Sequence, residues 1–302
     1  MRKTSVVAVV ALIALAAPQP AVAWGTAAHR HIMARAIDLL PAELKPFFVQ
    51  HKDEVVMRVV DPDLFRVLGW EEDPNHFINF GAKELGEYPF KELPREYGAA
   101  IEKFGLATLR RNGLLPWRQQ EEFGNLRRAF EGFTRETYGA GNTVLFAAVM
   151  SHYIQDAHQP LHASVNYDGQ MTGNTGIHAR FETALFERFQ SRLTIRPAPP
   201  APILNSRDAA FDALLASHQL VDPLLRADKE AIGNRDAYDD VYFEAFFMKA
   251  KPVLEERLAS AITATASLVL GAWEQAGKPD LRNGEPRPVQ RVQRAQPAQQ
   301  DR

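Results

Sequence analysis

Apolar positions recur at helical spacing along most of the chain, and no stretch keeps the period-two alternation of a half-buried strand. Residues 25–40 carry Ile32, Ala36, Leu39 and Leu40 on one helical face, and Pro41 ends the run. A short helix follows from 41 towards His51, and another over 53–60. From 61 to 94 the period breaks down among Pro62, Pro74, Gly81, Gly86, Pro89 and Pro94, which predicts a long irregular segment. Two amphipathic helices follow over 93–112 and 116–138, joined by Gly113-Leu114-Leu115. Residues 143–159 are apolar on most faces and predict a central buried helix. Helices are expected again over 178–193, over 206–232 with a break near Pro223, and over 238–275 with a kink at Pro252. A proline-rich connector spans 196–202. The pattern predicts an all-α fold, one multi-helix domain over residues 24–278. From 279 to 302 Pro, Gln and Arg replace the periodicity, the composition of a disordered tail.

The first residues change the compartment. Arg2 and Lys3 precede an apolar run from Val6 to Ala17 and the small residues Ala21-Val22-Ala23. That is the layout of a signal peptide over 1–23, with cleavage leaving Trp24 as the new N-terminus and a periplasmic or secreted protein. The 302 residues include no cysteine, so any metal site must be built from His, Asp, Glu and backbone groups. A formal charge of −2, without a basic run, does not announce a nucleic-acid surface.

Chemistry concentrates in Ser151-His152-Tyr153-Ile154-Gln155-Asp156-Ala157-His158-Gln159-Pro160-Leu161-His162, followed by His178-Ala179-Arg180-Phe181-Glu182. His152 and Asp156, and again His178 and Glu182, are four apart and share a helix face. An imidazole and a carboxylate so placed close on one divalent ion at about 2.0–2.2 Å. A buried Asp156 needs such a partner. Pro160 ends the helix near Gln159 and frees His162 to turn inward. His29 lies five residues after Trp24, whose α-amine, with an ordinary pKa of about 8, is itself a donor when deprotonated. His76 lies within the irregular segment. Each pair alone reads equally as a helical ion pair. His31, His51, His158 and His218 match no ligand position and read as core or surface histidines.

Together, Trp24, His29, Asp61, His76, His152-x3-Asp156, His162 and His178-x3-Glu182 resemble the superfamily of zinc-dependent phospholipases C and single-strand-specific nucleases, from Trp24 to about Phe189. The resemblance implies an α-helical domain with three zinc ions in a cleft. Asp61, His76, His152 and Asp156 would hold the first, and His162, His178 and Glu182 the second. The Trp24 amine and carbonyl, His29 and Asp156 would hold the third. Asp63 and Asp73 rival Asp61, which has the family-like distance to His76 and Arg66 shortly after it. Phe77 and Asn79 follow a ligand directly and are candidates for the cleft lining.

Such a site suits phosphate ester hydrolysis, in which water activated by zinc attacks phosphorus and Asp61 serves as ligand and base. Glu182 and the sixteen-residue gap from His162 to His178 point to a phospholipase C-like enzyme acting on a lipid headgroup. The short step from Trp24 to His29 and the stretch His76-Phe77-Ile78-Asn79 point instead to a nuclease acting on single-stranded nucleic acid. The fungal nucleases, however, carry an aspartate where Asn79 stands and Trp-Asp where Phe181-Glu182 stand. A third possibility is an exported binding protein in which the zinc is structural. No stable protein partner is implied, and a monomer is expected.

Overall fold

The computed structural model describes residues 24–69, 71–136 and 138–282. The signal-peptide reading of 1–23 and the tail from 283 onward lie outside the described residues. The described chain is helical, and no strand occurs among the described residues. No helix there is long and apolar enough to cross a membrane.

Helix α1 (Thr26–Leu39) is followed by α2 (Lys45–Gln50) and α3 (Lys52–Arg58). The segment expected to be irregular opens on a further helix, α4 (Asp61–Val67). Pro62 sits in its first turn, where a missing N–H breaks no hydrogen bond, so the residue read as a breaker starts a helix. Beyond α4 only single 3-10 turns form, over Asp73–His76 and Lys83–Leu85. The expected helix over 93–112 is two, α5 (Tyr97–Phe104) and α6 (Leu106–Asn112). Gly105 between them has φ of 75°, a conformation that glycine adopts without strain and that no helix continues through.

Helices α7 (Leu115–Gly132) and α8 (Gly139–Ala157) form the centre. Helix α8 packs against α7, α3 and α1, and every residue from Ala147 to Ala157 is buried. The next expected helix, 178–193, is composite. It begins as α9 (Ile177–Ala179), widens to a π-helix over Arg180–Leu185, resumes as α10 (Phe186–Phe189) and ends in a 3-10 turn. Helices α11 (Ser206–His218) and α12 (Val221–Ile232) break at 219–220, and Pro223 lies in the first turn of α12. Helix α13 (Asp240–Gln275) runs past Pro252 as one assigned helix and packs on α1, α7, α8 and α12. Packing continues beyond residue 278. Leu281 is buried and Pro279 accepts a hydrogen bond from Trp273 Nε1 at 2.9 Å, so the ordered domain reaches into the stretch expected as tail.

Candidate metal centre

The site is assembled at the C-terminal end of α8. His152 and Asp156 lie one turn apart on it and are fully buried. Gln159 leaves the helix in an extended conformation, its side chain accepts from Leu161 N–H, and Pro160 opens a 3-10 turn, Pro160–Ala163. That turn brings His162 back towards Asp156, with Nδ1 and Oδ2 3.8 Å apart. His76, at the end of its own 3-10 turn, sets Nδ1 2.9 Å from Asp156 Oδ2 and 3.0 Å from His152 Nε2. His29 on α1 stacks on His152 with ring centroids 4.2 Å apart and points Nε2 at Asp156 Oδ1, 3.3 Å away. On the far side, His178 Nε2 lies 2.9 Å from Glu182 Oε2 and 3.2 Å from His162 Nε2.

Three groups of donor atoms result, each compact enough to hold one ion. They are His29, Asp63 and His152; His76, His152 and Asp156; and His162, His178 and Glu182. Sharing of His152 joins the first two.

The imidazoles are oriented from outside. His29 Nδ1 donates to Gln155 Oε1 at 2.6 Å, and His152 Nδ1 to the Val59 carbonyl at 2.8 Å. His162 Nδ1 donates to the His76 carbonyl at 2.6 Å, and His178 Nδ1 to the Tyr167 carbonyl at 3.0 Å. These oxygens only accept, so each Nδ1 carries a proton and each Nε2 faces the cluster. His76 is reversed. Its Nδ1 faces the cluster, and its Nε2 faces Glu72 Oε1 at 3.8 Å. Glu72 in turn accepts from Tyr153, whose hydroxyl accepts from Arg118 Nε at 3.2 Å. Metal-binding histidines are characteristically held as His29, His152, His162 and His178 are, by an oxygen on the nitrogen that does not bind.

Without an ion, the cluster shares its charge among its own groups. Burial works against a charged His152, yet the Asp156 and Asp63 carboxylates overcome it and hold its pKa at about 9. Burial equally opposes ionised Asp156, but His152 and His162 draw its pKa well below the usual carboxylate range. His162 is dominated by burial and falls to about 3. Burial also raises Glu182, in contact with His178. Asp156 is thus held ionised against a charged His152, a place that a divalent ion could take over from the His152 proton. His29 Nε2, His76 Nε2, Asp156 Oδ1 and both Asp63 oxygens are buried without a hydrogen-bond partner. Unsatisfied groups of this kind are costly, and a divalent ion among them would satisfy several at once. The groups can therefore hold metal ions.

The structure brings His29, His76, His152, Asp156, His162, His178 and Glu182 together. Asp61 is not among them. Its carboxylate turns to Arg58, 3.4 Å from Nη1, whereas Asp63 reaches to 3.9 Å from His152 Nε2. The early carboxylate that joins the cluster is thus Asp63 rather than Asp61. Trp24 is buried at the same turn of α8, its indole N–H donating to the Gln155 carbonyl at 2.8 Å. Phe77 and Asn79 line a cleft of about 450 Å³ together with His76, His162 and His178. Asn79 Nδ2 donates to the Arg111 carbonyl at 3.1 Å.

Several contributors escaped the sequence reading. Gln155 and Gln159 lie inside the motif itself, and Gln159 Nε2 donates to Glu182 Oε2 at 3.0 Å. A polar amide on a helix that is apolar all round was the available signal. Arg66, Arg111 and Tyr167 also line the cleft, and only the fold brings them there. No family model matches the chain, and no curated protein matches it.

Proposed function

We propose that the chain is a zinc-dependent phosphoric ester hydrolase of phospholipase C type. The observation that carries this reading is the set of inward-facing, externally anchored imidazoles interleaved with buried carboxylates, three of whose histidines line an open cleft. Nitrogen and oxygen donors without thiolate suit zinc. His76, His152, Asp156 and Asp63 would hold one ion, and His162, His178 and Glu182 a second. His29 and Asp156, with the amine and carbonyl of a freed Trp24 terminus, would hold a third. A purely structural cluster needs no cleft, whereas three of these histidines line one.

Bound there, zinc supplies Lewis acidity to a phosphoryl oxygen and lowers the pKa of water towards neutrality. The chain supplies the rest. Asp63, neither of whose carboxylate oxygens makes a hydrogen bond, orients the attacking water and takes its proton. Arg66 and Arg111 on the cleft wall meet the charge of the phosphate. Phe77 and Tyr167 flank the group esterified to it. A second reading, cleavage of single-stranded nucleic acid, draws support from Phe77 and Arg111, which both line the cleft and could stack a base and contact a phosphate.

The test uses the purified chain with Trp24 as its N-terminus, assayed on bis(nitrophenyl) phosphate, phosphatidylcholine and single-stranded DNA. Diester hydrolysis should disappear with dipicolinic acid and return with zinc. Hydrolysis that persists undiminished in the chelator would refute the proposal.

A further inference from the structure

Of the cluster histidines, His76 alone turns its outer nitrogen to a carboxylate, whereas the others meet carbonyl or amide oxygens. That carboxylate belongs to Glu72, four residues earlier in the chain and only 5% exposed. Its Oε1 stands 3.8 Å from His76 Nε2, longer than a hydrogen bond and within the reach of an ion pair. Among the described residues Glu72 makes no ion pair with Lys or Arg, so its partners are the Tyr153 hydroxyl and His76. A carboxylate buried with so little compensation is costly and calls for a reason.

A chain of donors fixes its place. Arg118 on α7 can only donate, so its Nε–H, 3.2 Å from the Tyr153 oxygen, makes that oxygen the acceptor. The hydroxyl proton of Tyr153 is thereby turned to Glu72 Oε1. Tyr153 is fully buried and follows His152 on α8, with its ring 5.5 Å from that of His152 and 5.6 Å from that of His76. Behind it Arg118 pairs with Glu121 and Glu122 of its own helix, at 2.8 and 3.1 Å. A tie between α7, α8 and the turn of His76 needs only an acceptor for Tyr153, and an amide oxygen would serve as well. The carboxylate adds a charge. It favours a proton on His76 Nε2 and so leaves Nδ1, the nitrogen that faces Asp156 and His152, as the donor to an ion.

We propose that Glu72 is the positioning residue of His76, anchored by Tyr153 and Arg118, and that its charge sets how tightly the group of His76, His152 and Asp156 holds its ion. This rests on the reading of the cluster as a zinc centre and is independent of which ester is cleaved.

Two substitutions separate charge from contact. Glu72→Gln keeps the size and an acceptor for Tyr153 and removes only the charge, whereas Tyr153→Phe keeps the charge and removes its anchor. Both are compared with the wild type, each chain starting at Trp24, by titration of zinc in competition with a chromogenic chelator and by thermal unfolding in excess chelator. One ion per chain should bind about 10- to 100-fold more weakly in Glu72→Gln, while the metal-free protein unfolds at the wild-type temperature or above. Tyr153→Phe should weaken the same ion, and it decides the matter alone should Glu72→Gln fail to fold. Zinc affinity equal to that of the wild type overturns the proposal. So does a metal-free Glu72→Gln protein that unfolds early with its zinc affinity intact, the mark of a purely structural contact. A folded wild type that takes up no zinc removes the centre itself and the proposal with it, an outcome distinct from a wild type that binds zinc as firmly as its variants.

Discussion

Exchange of one carboxylate for an amide separates the two aspartates of α4. In the metal-free protein Asp63→Asn keeps the volume and removes a charge whose oxygens make no hydrogen bond, although Arg66 Nη1 lies 3.6 Å away. Those effects oppose each other, so stability should move by no more than about 1 kcal/mol. With zinc at a hundred times its dissociation constant the wild type gains about 2.7 kcal/mol. Loss of a direct ligand weakens binding by about 100-fold or more, which leaves at most about 0.4 kcal/mol of that gain. The difference, about 2.3 kcal/mol, corresponds to roughly 5–9 °C in Tm for a domain of this size. Asp61→Asn loses only a partly exposed pair with Arg58 and should cost under about 1 kcal/mol, with zinc or without. Thermal unfolding of the three proteins, each with chelator and with zinc, decides the matter. A zinc response lost in Asp61→Asn and retained in Asp63→Asn would refute the assignment of Asp63.

Three further expectations follow from named contacts. Gln155→Leu removes the oxygen that fixes the His29 ring and should lower zinc per chain and speed its release to a chromogenic chelator. Gln155→Glu should restore both, and full zinc with unchanged release in Gln155→Leu would count against the role. Arg180→Leu removes the cation paired at 3.0 Å with Asp228, which is 1% exposed and keeps the neutral donors Asn174 and Tyr242, and should cost about 3 kcal/mol in urea unfolding; a loss below about 1 kcal/mol would show the pair to be dispensable. Burial holds His158 uncharged, with its pKa lowered from 6.5 to about 4. The unfolded chain takes up this proton as pH falls through about 6.5 and the folded chain only near 4, so stability is full above that window and declines through it. The decline attributable to His158 is roughly 3 kcal/mol. Urea titrations across this range should show a flatter profile in His158→Gln, and parallel profiles would exclude the residue as the source.

The helices and the ligand-rich end of α8 were legible because periodicity and the His152/Asp156 spacing are local properties. Asp61 and Asp63 could not be told apart in that way. Two residues apart on a helix, they point to nearly opposite sides, and only one can face His152. Which one does so depends on α4, which Pro62 concealed. The oxygens that fix the imidazoles come from Val59, His76, Gln155 and Tyr167, and the contacts of His29, His152 and His162 cross from one part of the chain to another. Helical spacing carries no trace of such contacts. The π-turn over Arg180–Leu185 was hidden for a related reason. The His178/Glu182 pair marked a helix there, but not its widened pitch, a feature that often accompanies functional sites.

Metal analysis of the purified chain that starts at Trp24 bears most directly on the centre described here. After exhaustive dialysis, three zinc ions per chain should remain, and chelation should remove them with loss of diester hydrolysis. A folded protein that retains no metal, and whose thermal unfolding is the same with zinc and with chelator, would contradict it.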